Sequence, residues 1–230
     1  MYSHSSYSDV WGCFFSQAAK YLSDYRMMLF SDDDLGKTPE GWEFIKYNDS
    51  DSYTERVSKC LEKVETDLCF FHHEDMFLYE SPDYSLMEQY ENIVMKDDVD
   101  FIRLLRATDT PDNPYSKTLF QIPKDSQYYF SVQPCICKTQ SLLKIYKDTH
   151  VSHIREFEIK VQDTCKKLNC NGLFHYGGET KRGLHHYDSD AYPYVATAIV
   201  KGKWNISDYG TELGEILLEN NVNISIRGIV

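Results

Sequence analysis

The sequence predicts a single α/β domain in which a mostly parallel sheet is flanked by helices. The 230 residues suit one large domain with a substantial core. Hydrophobic residues make up 42% and charged residues 26%, as in ordinary folded proteins. The N-terminal third alternates between helical and strand patterns, which favours parallel strands covered by helices. We treat residues 1–230 as one domain.

The first elements follow from the spacing of apolar residues. From residue 10 to residue 22 they recur at helical spacing, which predicts an amphipathic helix capped by Ser8 or Asp9. Residues 53–64 show the same helical face. Short apolar or alternating runs predict strands over 26–30, 42–47 and 67–71. Two of these strands run into acidic segments, so those segments lie where α/β sheets bind ligands.

The later elements are predicted in the same way. Helical patterns cover 85–95, 140–146, 153–167 and 211–219. Strand patterns cover 101–107, 128–132 and 222–229, while 192–200 fits either a helix or a strand. Residues 108–114 and 169–190 are predicted loops, and a loop as long as the second is usually functional or mobile.

The charge and aromatic content of the sequence indicate which kinds of ligand this protein is expected to bind. The net charge of −12 repels nucleic acid and anionic lipid, so nucleic-acid binding is disfavoured. An anionic ligand would need a local cation, basic side chains or a helix N-terminus. The 18 tyrosines can line a groove for sugars or bases, or can simply fill core and surface.

Cysteine usage and hydropathy point to an intracellular protein. The seven cysteines are odd in number and irregularly spaced, unlike a secreted disulfide framework. The pair Cys135 and Cys137 lacks the spacing of a zinc ribbon, so reduced buried thiols are expected. The sequence contains no apolar run of about 18 residues and no signal peptide. We expect a cytoplasmic location and no membrane span.

The segment His72-His73-Glu74-Asp75 follows a hydrophobic strand and is the strongest candidate for a metal site. A carboxylate here can hold a hard divalent cation that also bridges two phosphates, and Mn²⁺ or Mg²⁺ often needs only one or two protein carboxylates. We therefore predict Asp75 and Glu74 as metal ligands. The alternative is that these groups are buried and hydrogen-bonded, or solvated in a loop.

The glycine-rich segment 175–188 can close over a diphosphate. Lys181 or Arg182 would meet the leaving charge, and His185 or His186 would meet the metal. The basic residue Lys201 belongs to a smaller patch of the same kind. The alternative for both segments is a solvated surface loop.

Two further segments carry candidate site residues. In Ile154-Arg-Glu-Phe-Glu158, either Glu156 or Glu158 could be a general base for a sugar hydroxyl, but two residues apart on a helix only one could serve. Both could equally be surface carboxylates.

Small polar residues before the first helix, among them Ser3, His4 and Ser6, can bind a base, ribose or phosphate. Asp32 ends a predicted strand beside them. Simple N-capping is the alternative reading of this loop. The sequence has no GxSxG, Walker A or GxGxxG motif, which removes the usual support for serine hydrolases, P-loop NTPases and dehydrogenases.

In their order along the chain, these segments resemble those of GT-A-type glycosyltransferases, particularly the small bacterial and viral enzymes that build surface glycans. The matching segments are YSHSSYSDVW (2–11), MMLFSD (27–32), LCFFHHEDMFL (68–78), FSVQPCI (130–136), REFE (155–158), YPY (192–194) and KGKW (201–204). Glu74-Asp75 stands where the family has an Asp-x-Asp motif, and the usual first strand is shortened or missing.

The resemblance implies transfer of a sugar from a nucleotide-sugar donor to a glycan or other hydroxyl acceptor, with Mn²⁺ or Mg²⁺ as the cofactor. It implies a nucleotide-sugar-binding half over 1–100 and an acceptor-side half over 101–230. The residue clusters leave two alternatives open, namely a metal-dependent hydrolase and a non-catalytic module that binds glycans or nucleotides.

Overall fold

The computed structural model describes residues 1–184 and 186–230. The helices are α1 (Trp11–Tyr21), α2 (Tyr53–Leu61), α3 (Tyr84–Lys96), α4 (Thr139–Asp148), α5 (Ile154–Lys167) and α6 (Ile206–Glu219). The strands are β1 (Met28–Ser31), β2 (Glu43–Lys46), β3 (Leu68–Phe71), β4 (Phe101–Arg103), β5 (Leu119–Gln121), β6 (Cys135–Lys138), β7 (Gly172–His175), β8 (Ile199–Val200) and β9 (Lys203–Trp204).

The central sheet is mostly parallel, as the sequence predicted. Five strands pair in the order β3-β6-β4-β7-β5, and β1 pairs with β2 in parallel. Strands β4 and β7 are parallel, whereas β6 is antiparallel to both β3 and β4, and β5 is antiparallel to β7. Parallel bridges from Tyr2 to Phe30 and to His73 also set β1 parallel to β3. The strands that run in one direction are therefore β1, β2, β3, β4 and β7, while β5 and β6 are reversed.

The N-terminal residues join the two parts of this sheet. Tyr2 forms parallel bridges with both Phe30 and His73. Its backbone NH donates to the carbonyl of His72 at 2.8 Å, and the NH of Ser3 donates to the carbonyl of Phe30 at 2.9 Å. This short extended segment occupies the place of a first strand between β1 and β3.

Helices flank the sheet because each buries one apolar face. In α2, Ser52 and Glu55 form a reciprocal capping box, and Val57 and Leu61 are buried. Helix α2 contacts α4, which in turn contacts α5 and β6, while α3 packs on β3, β4 and β6. Within the described part of the chain, no helix is both long and apolar enough to cross a membrane.

Two predicted strands are wrong. Residues 128–132 form no strand, because the amide of Gln162 bonds both backbone groups of Phe130, at 3.0 and 2.7 Å. The aromatic residues there pack in the core instead. Residues 222–229 form turns, and only Ile229 makes a bridge, with Trp204.

The long predicted loop 169–190 is also partly wrong, because it contains the buried strand β7. The predicted segment 192–200 contributes only the two residues of β8. Strand β5 was not predicted.

Candidate functional site

Polar side chains gather at the edge of the sheet where the parallel strands have their carboxyl ends. Tyr2 leads into Ser3, β1 leads into Asp32, and β3 leads into Glu74 and Asp75. Strand β4 ends on the same edge, just before Leu105. In open α/β sheets this edge is where ligands bind, because the loops that follow the strands converge there.

Asp32 organises the N-terminal loop. Its Oδ1 accepts a hydrogen bond from the backbone NH of Ser5 and its Oδ2 accepts one from the Ser5 hydroxyl, both at 2.7 Å. The His4 imidazole lies 3.8 Å from the same carboxylate. Partial burial opposes ionisation of Asp32, but the bonds from Ser5 outweigh it and hold its pKa below the ordinary value. The loop is thus fixed by an ionised carboxylate.

The three predicted nucleotide-binding residues of this loop differ in their surroundings. Ser3 is buried, where its hydroxyl accepts from Trp11 Nε1 at 2.6 Å and its carbonyl accepts from the Tyr47 hydroxyl at 2.7 Å. His4 and Ser6 are more exposed, and His4 Nδ1 lies 2.8 Å from the Ser6 hydroxyl. Ser3 therefore shapes the loop, while His4 and Ser6 offer polar groups to a ligand.

Glu74 and Asp75 form an electrostatically strained pair. Burial and the charge of the adjacent Asp75 raise the pKa of Glu74 to about 8. Burial raises the pKa of Asp75 to about 6. A cation nearby would favour the ionised form of both carboxylates, because burial disfavours their charge.

Arg227 is a site residue that the sequence reasoning missed. Its guanidinium binds both carboxylate oxygens of Asp9 at 2.6 Å and lies over the Tyr7 ring, 5.0 Å from the centroid. Its charge also favours the ionised forms of Glu74 and Asp75. No sequence pattern links Arg227 to residues 218 positions earlier, so only the folded chain reveals this cation.

A cavity of about 430 Å³ contains Glu158. Among the residues that line it are Leu105, Tyr128, Ser131, Gln133, Glu158, Leu184, His186, Thr197, Val200, Asn205 and Asp208. One backbone contact links the cavity wall to the segment with the carboxylate pair: the NH of Ala198 donates to the Asp75 carbonyl at 2.9 Å, and the neighbouring Thr197 lines the cavity.

The structure separates the two candidate bases on α5. Glu158 is half-buried in the cavity, and burial raises its pKa. Its Oε1 lies 3.5 Å from the backbone NH of Val132. Glu156 is exposed. Only Glu158 can therefore meet a molecule held in the cavity.

The remaining predicted residues are spread around the edge. Arg182 is bound in ion pairs with Asp188 at 2.9 Å and Glu212 at 2.6 Å. Lys181 forms an isolated bridge with Tyr187, and Lys201 is exposed in the turn between β8 and β9. These placements do not test whether the three side chains bind phosphate, so the contacts predicted for Lys181, Arg182 and Lys201 stay predictions.

The two predicted histidine ligands lie in the segment after Arg182. His186 borders the cavity and its Nε2 lies 2.7 Å from the Tyr209 hydroxyl. His185 lies outside the described residues.

The imidazoles of the His72-His73 pair are structural. His72 Nδ1 lies 3.1 Å from the carbonyl of Met76, and its Nε2 lies 3.1 Å from the Tyr192 hydroxyl. His73 Nε2 lies 3.3 Å from the Tyr53 hydroxyl. Burial lowers the pKa of His72 to about 4 and that of His73 to about 3, so both rings are neutral at pH 7.

Glu74 and Asp75 carry carboxylate oxygens, which are the type of ligand that a hard divalent cation prefers. Within residues 1–184 and 186–230, no third His, Cys, Asp or Glu side chain joins these two in a compact ligand group. Two carboxylates suffice for Mn²⁺ or Mg²⁺ when substrate phosphates and water complete the coordination.

A second cavity, of about 290 Å³, is lined by His72 but not by Asp32, Glu74, Asp75 or Glu158. It opens beside the amino ends of β1 and β3 and is lined mainly by apolar side chains, including Met28, Leu68 and Phe70. It lies at the opposite end of these strands from Asp32, Glu74 and Asp75, so we do not choose it as the candidate site.

No protein-family model matches the chain, and no curated protein matches it. Among solved structures, Staphylococcus aureus TarS (residues 1–349) aligns with 98% of this chain and 68% of its own, at 12% identity and a TM-score of 0.49. A Leptospira borgpetersenii cytidylyltransferase aligns over 96% and 87%, at 13% identity and 0.47. A CMP:2-keto-3-deoxy-manno-octonic acid synthetase complexed with CTP aligns over 72% and 77%, at 15% identity and 0.47. Because all three TM-scores are below 0.5, the fold and function are inferred from this chain's own strands and side chains.

Proposed function

We propose that the chain is a glycosyltransferase that moves a sugar from a nucleotide-sugar donor to a hydroxyl acceptor such as a glycan. The observation that carries the proposal is the position of Glu74 and Asp75. On one side Glu74 directly follows His73, which forms a parallel bridge with Tyr2 at the start of the N-terminal loop. On the other side the Asp75 carbonyl accepts a hydrogen bond from the backbone NH of Ala198, whose neighbour Thr197 lines the cavity that contains Glu158.

The donor lies over the strand ends in this proposal. The loop fixed by Asp32 presents His4 and Ser6 to the nucleoside, and Arg227 offers positive charge near the diphosphate. Glu74 and Asp75 hold Mn²⁺ or Mg²⁺, which when bound supplies positive charge to the diphosphate leaving group. The overall charge of −12 repels an anionic donor, and a cation bound at this site would offset that repulsion locally.

The acceptor lies in the cavity, and Glu158 acts as the general base. The acceptor oxygen forms a bond to the anomeric carbon of the sugar while the bond from that carbon to the diphosphate oxygen breaks. The hydroxyl proton passes to Glu158, the nucleotide leaves, and the configuration inverts. The raised pKa of Glu158 strengthens it as a base.

Another observation supports a polar acceptor. The hydroxyl of Ser131, which lines this cavity, is buried and has no hydrogen-bond partner among the described residues. A buried polar atom without a partner costs free energy, so a ligand hydroxyl at this position would be favoured.

The test is a transfer assay with a panel of uridine, guanosine, cytidine and thymidine nucleotide sugars. Each is incubated with Mn²⁺ and with mixed glycan acceptors, and both nucleotide release and product mass are measured. The proposal predicts acceptor-dependent release with one donor family and a product heavier by one sugar. Equal release without any acceptor would favour the hydrolase, and binding without release would favour the non-catalytic module.

A further inference from the structure

Three potential metal ligands converge at the end of β7, apart from the carboxylate pair. The Nε2 atom of His175 lies 2.6 Å from Glu179 Oε1 and 2.7 Å from Asp190 Oδ1. The His175 side chain is fully buried and that of Glu179 is 9% exposed, whereas that of Asp190 is 65% exposed. One imidazole nitrogen therefore faces two carboxylate oxygens, with an opening to solvent on one side.

We propose that His175, Glu179 and Asp190 bind one Zn²⁺ ion. The Nε2 atom of His175 can carry only one hydrogen, which cannot make a full hydrogen bond to both carboxylates. A single cation between the three atoms would satisfy the nitrogen and both carboxylates. One imidazole and two carboxylates, with water at a fourth position, form a ligand set that zinc uses in proteins. The exposed side of Asp190 supplies the place for that water.

The other ring nitrogen of His175 already has the outer partner that metal-bound histidines usually have. Its Nδ1 lies 2.7 Å from the Tyr90 hydroxyl, which lies 2.9 Å from the Thr118 hydroxyl. With Nδ1–H donating to Tyr90, and Tyr90 donating to Thr118, the Nε2 lone pair faces the two carboxylates. Such a bond fixes the tautomer and the orientation of a ligating imidazole.

The backbone holds the two carboxylates in place. Gly178 has a φ of +110°, which lets the chain turn back toward His175. The NH of Gly177 donates to Glu179 Oε2 at 2.6 Å, which leaves Oε1 directed at the ring. A Cβ at Gly177 would lie 2.8 Å from Asp190 Oδ2, so glycine allows the close approach.

Entry of the ion requires only a small expansion. Ligand atoms around tetrahedral zinc lie ~3.3 Å apart, compared with 2.6 and 2.7 Å here. The mostly exposed Asp190 can move outward by this amount, and the Glu179 carboxylate must also withdraw from Nε2 by about 0.7 Å. The ion then ties Glu179 and Asp190 to β7, and Leu184 and His186 of the cavity wall lie between these two ligands in the sequence.

The experiment measures Zn²⁺ binding to the chelator-treated 230-residue chain by competition with a chromophoric chelator. We expect one ion per chain in the wild type and in Asp75→Asn, which separates this site from the proposed donor site. Asp190→Asn and His175→Gln should weaken binding at least about tenfold, since disturbing even an outer-shell partner has an effect of that order. Asp125→Asn and His153→Gln, which change exposed residues elsewhere, should bind as the wild type does.

Co²⁺ substitution gives a second readout that does not depend on the folding of a variant. Nitrogen and oxygen ligation predicts visible d–d bands without the intense near-ultraviolet band of cobalt thiolates. That sulfur band would instead assign the ion to the cysteines and overturn the proposal. Wild-type affinity in Asp190→Asn, or no Zn²⁺ binding by the wild type, would overturn it as well.

Discussion

Asp32 binds Ser5 with both of its carboxylate oxygens, one through the backbone NH and one through the hydroxyl, each at 2.7 Å. The two residues lie 27 positions apart, and their bond closes the loop after Tyr2 against the end of β1. A loop held in this way is preorganised, so a ligand does not have to order it on binding. The geometry makes Asp32 a positioning residue for the proposed donor site.

Replacement of Asp32 should weaken donor binding. Asp32→Asn keeps the shape but removes the charge, and hydrogen bonds to charged groups contribute about 1 kcal/mol more than neutral ones. We expect the donor KM to rise about fivefold with little change in kcat. Asp24→Asn, on an exposed residue, is the matched control. A donor KM in Asp32→Ala equal to that of the wild type would show that Asp32 does not position the donor site.

Glu158 and Glu156 should differ sharply in mutational effect. Glu158→Gln removes the proposed base from the cavity and should lower kcat about 100-fold or more, while donor affinity is preserved. Glu156→Gln, two residues away on the exposed face of α5, should retain wild-type turnover. Steady-state transfer kinetics on both variants provide the comparison. Equal losses, or loss in Glu156→Gln alone, would reject the assignment of the base.

Glu74 should make the metal-free protein less stable as the pH rises. Its pKa is raised from the ordinary 4.5 to about 8, so the folded state binds its proton more tightly than the unfolded state. Stability is therefore lost between pH 5 and 8. The free energy of unfolding of Glu74→Gln should exceed that of the wild type by an amount that grows across this range, by up to about 1.4 kcal/mol per pH unit, in a chelating buffer. Denaturant unfolding at several pH values measures this difference, and a constant difference would contradict the proposed strain.

Much of the fold could be predicted from local patterns. Helices α1 and α5 lie within one residue of the predicted spans at each end, and α2 ends three residues before its predicted end, because their apolar residues recur at helical spacing. Strand β7 was missed because its four residues follow an Asn-rich turn and begin with Gly172, so neither length nor alternation identifies it. Residues 128–132 have the composition of a strand, but a side-chain amide replaces the partner strand there.

The candidate site was predicted only where its residues follow strands. Asp32, Glu74 and Asp75 are recognisable because acidic residues directly follow apolar runs. The choice of Glu158 over Glu156 needed the packing of α5, and Arg227 needed the contact between the two ends of the chain. Tertiary contacts of this kind leave no local pattern in a single sequence.

Arg227 should contribute to binding of the anionic donor. Arg227→Gln removes the charge beside Glu74 and Asp75, and we expect the donor Kd to rise about tenfold, since charge-assisted contacts contribute about 1.5–3 kcal/mol. Arg227→Lys should lose less, because it keeps the charge but not the paired bonds to Asp9. Isothermal titration with Mn²⁺ present measures the effect, and the exposed Arg155→Gln serves as the control. Equal affinity in wild type and Arg227→Gln would contradict this role.

The most direct test of the central claim is a thermal-shift measurement with nucleotide sugars and Mn²⁺, on the wild type and on Asp75→Asn. A ligand at about 100 times its Kd adds about 2.7 kcal/mol of stability, which is readily seen as a higher Tm. The account predicts that one nucleotide sugar together with Mn²⁺ raises the wild-type Tm by more than the sum of the separate shifts. It predicts that this excess is lost in Asp75→Asn. Equal stabilisation of both proteins by the nucleotide sugar in a chelating buffer would contradict it.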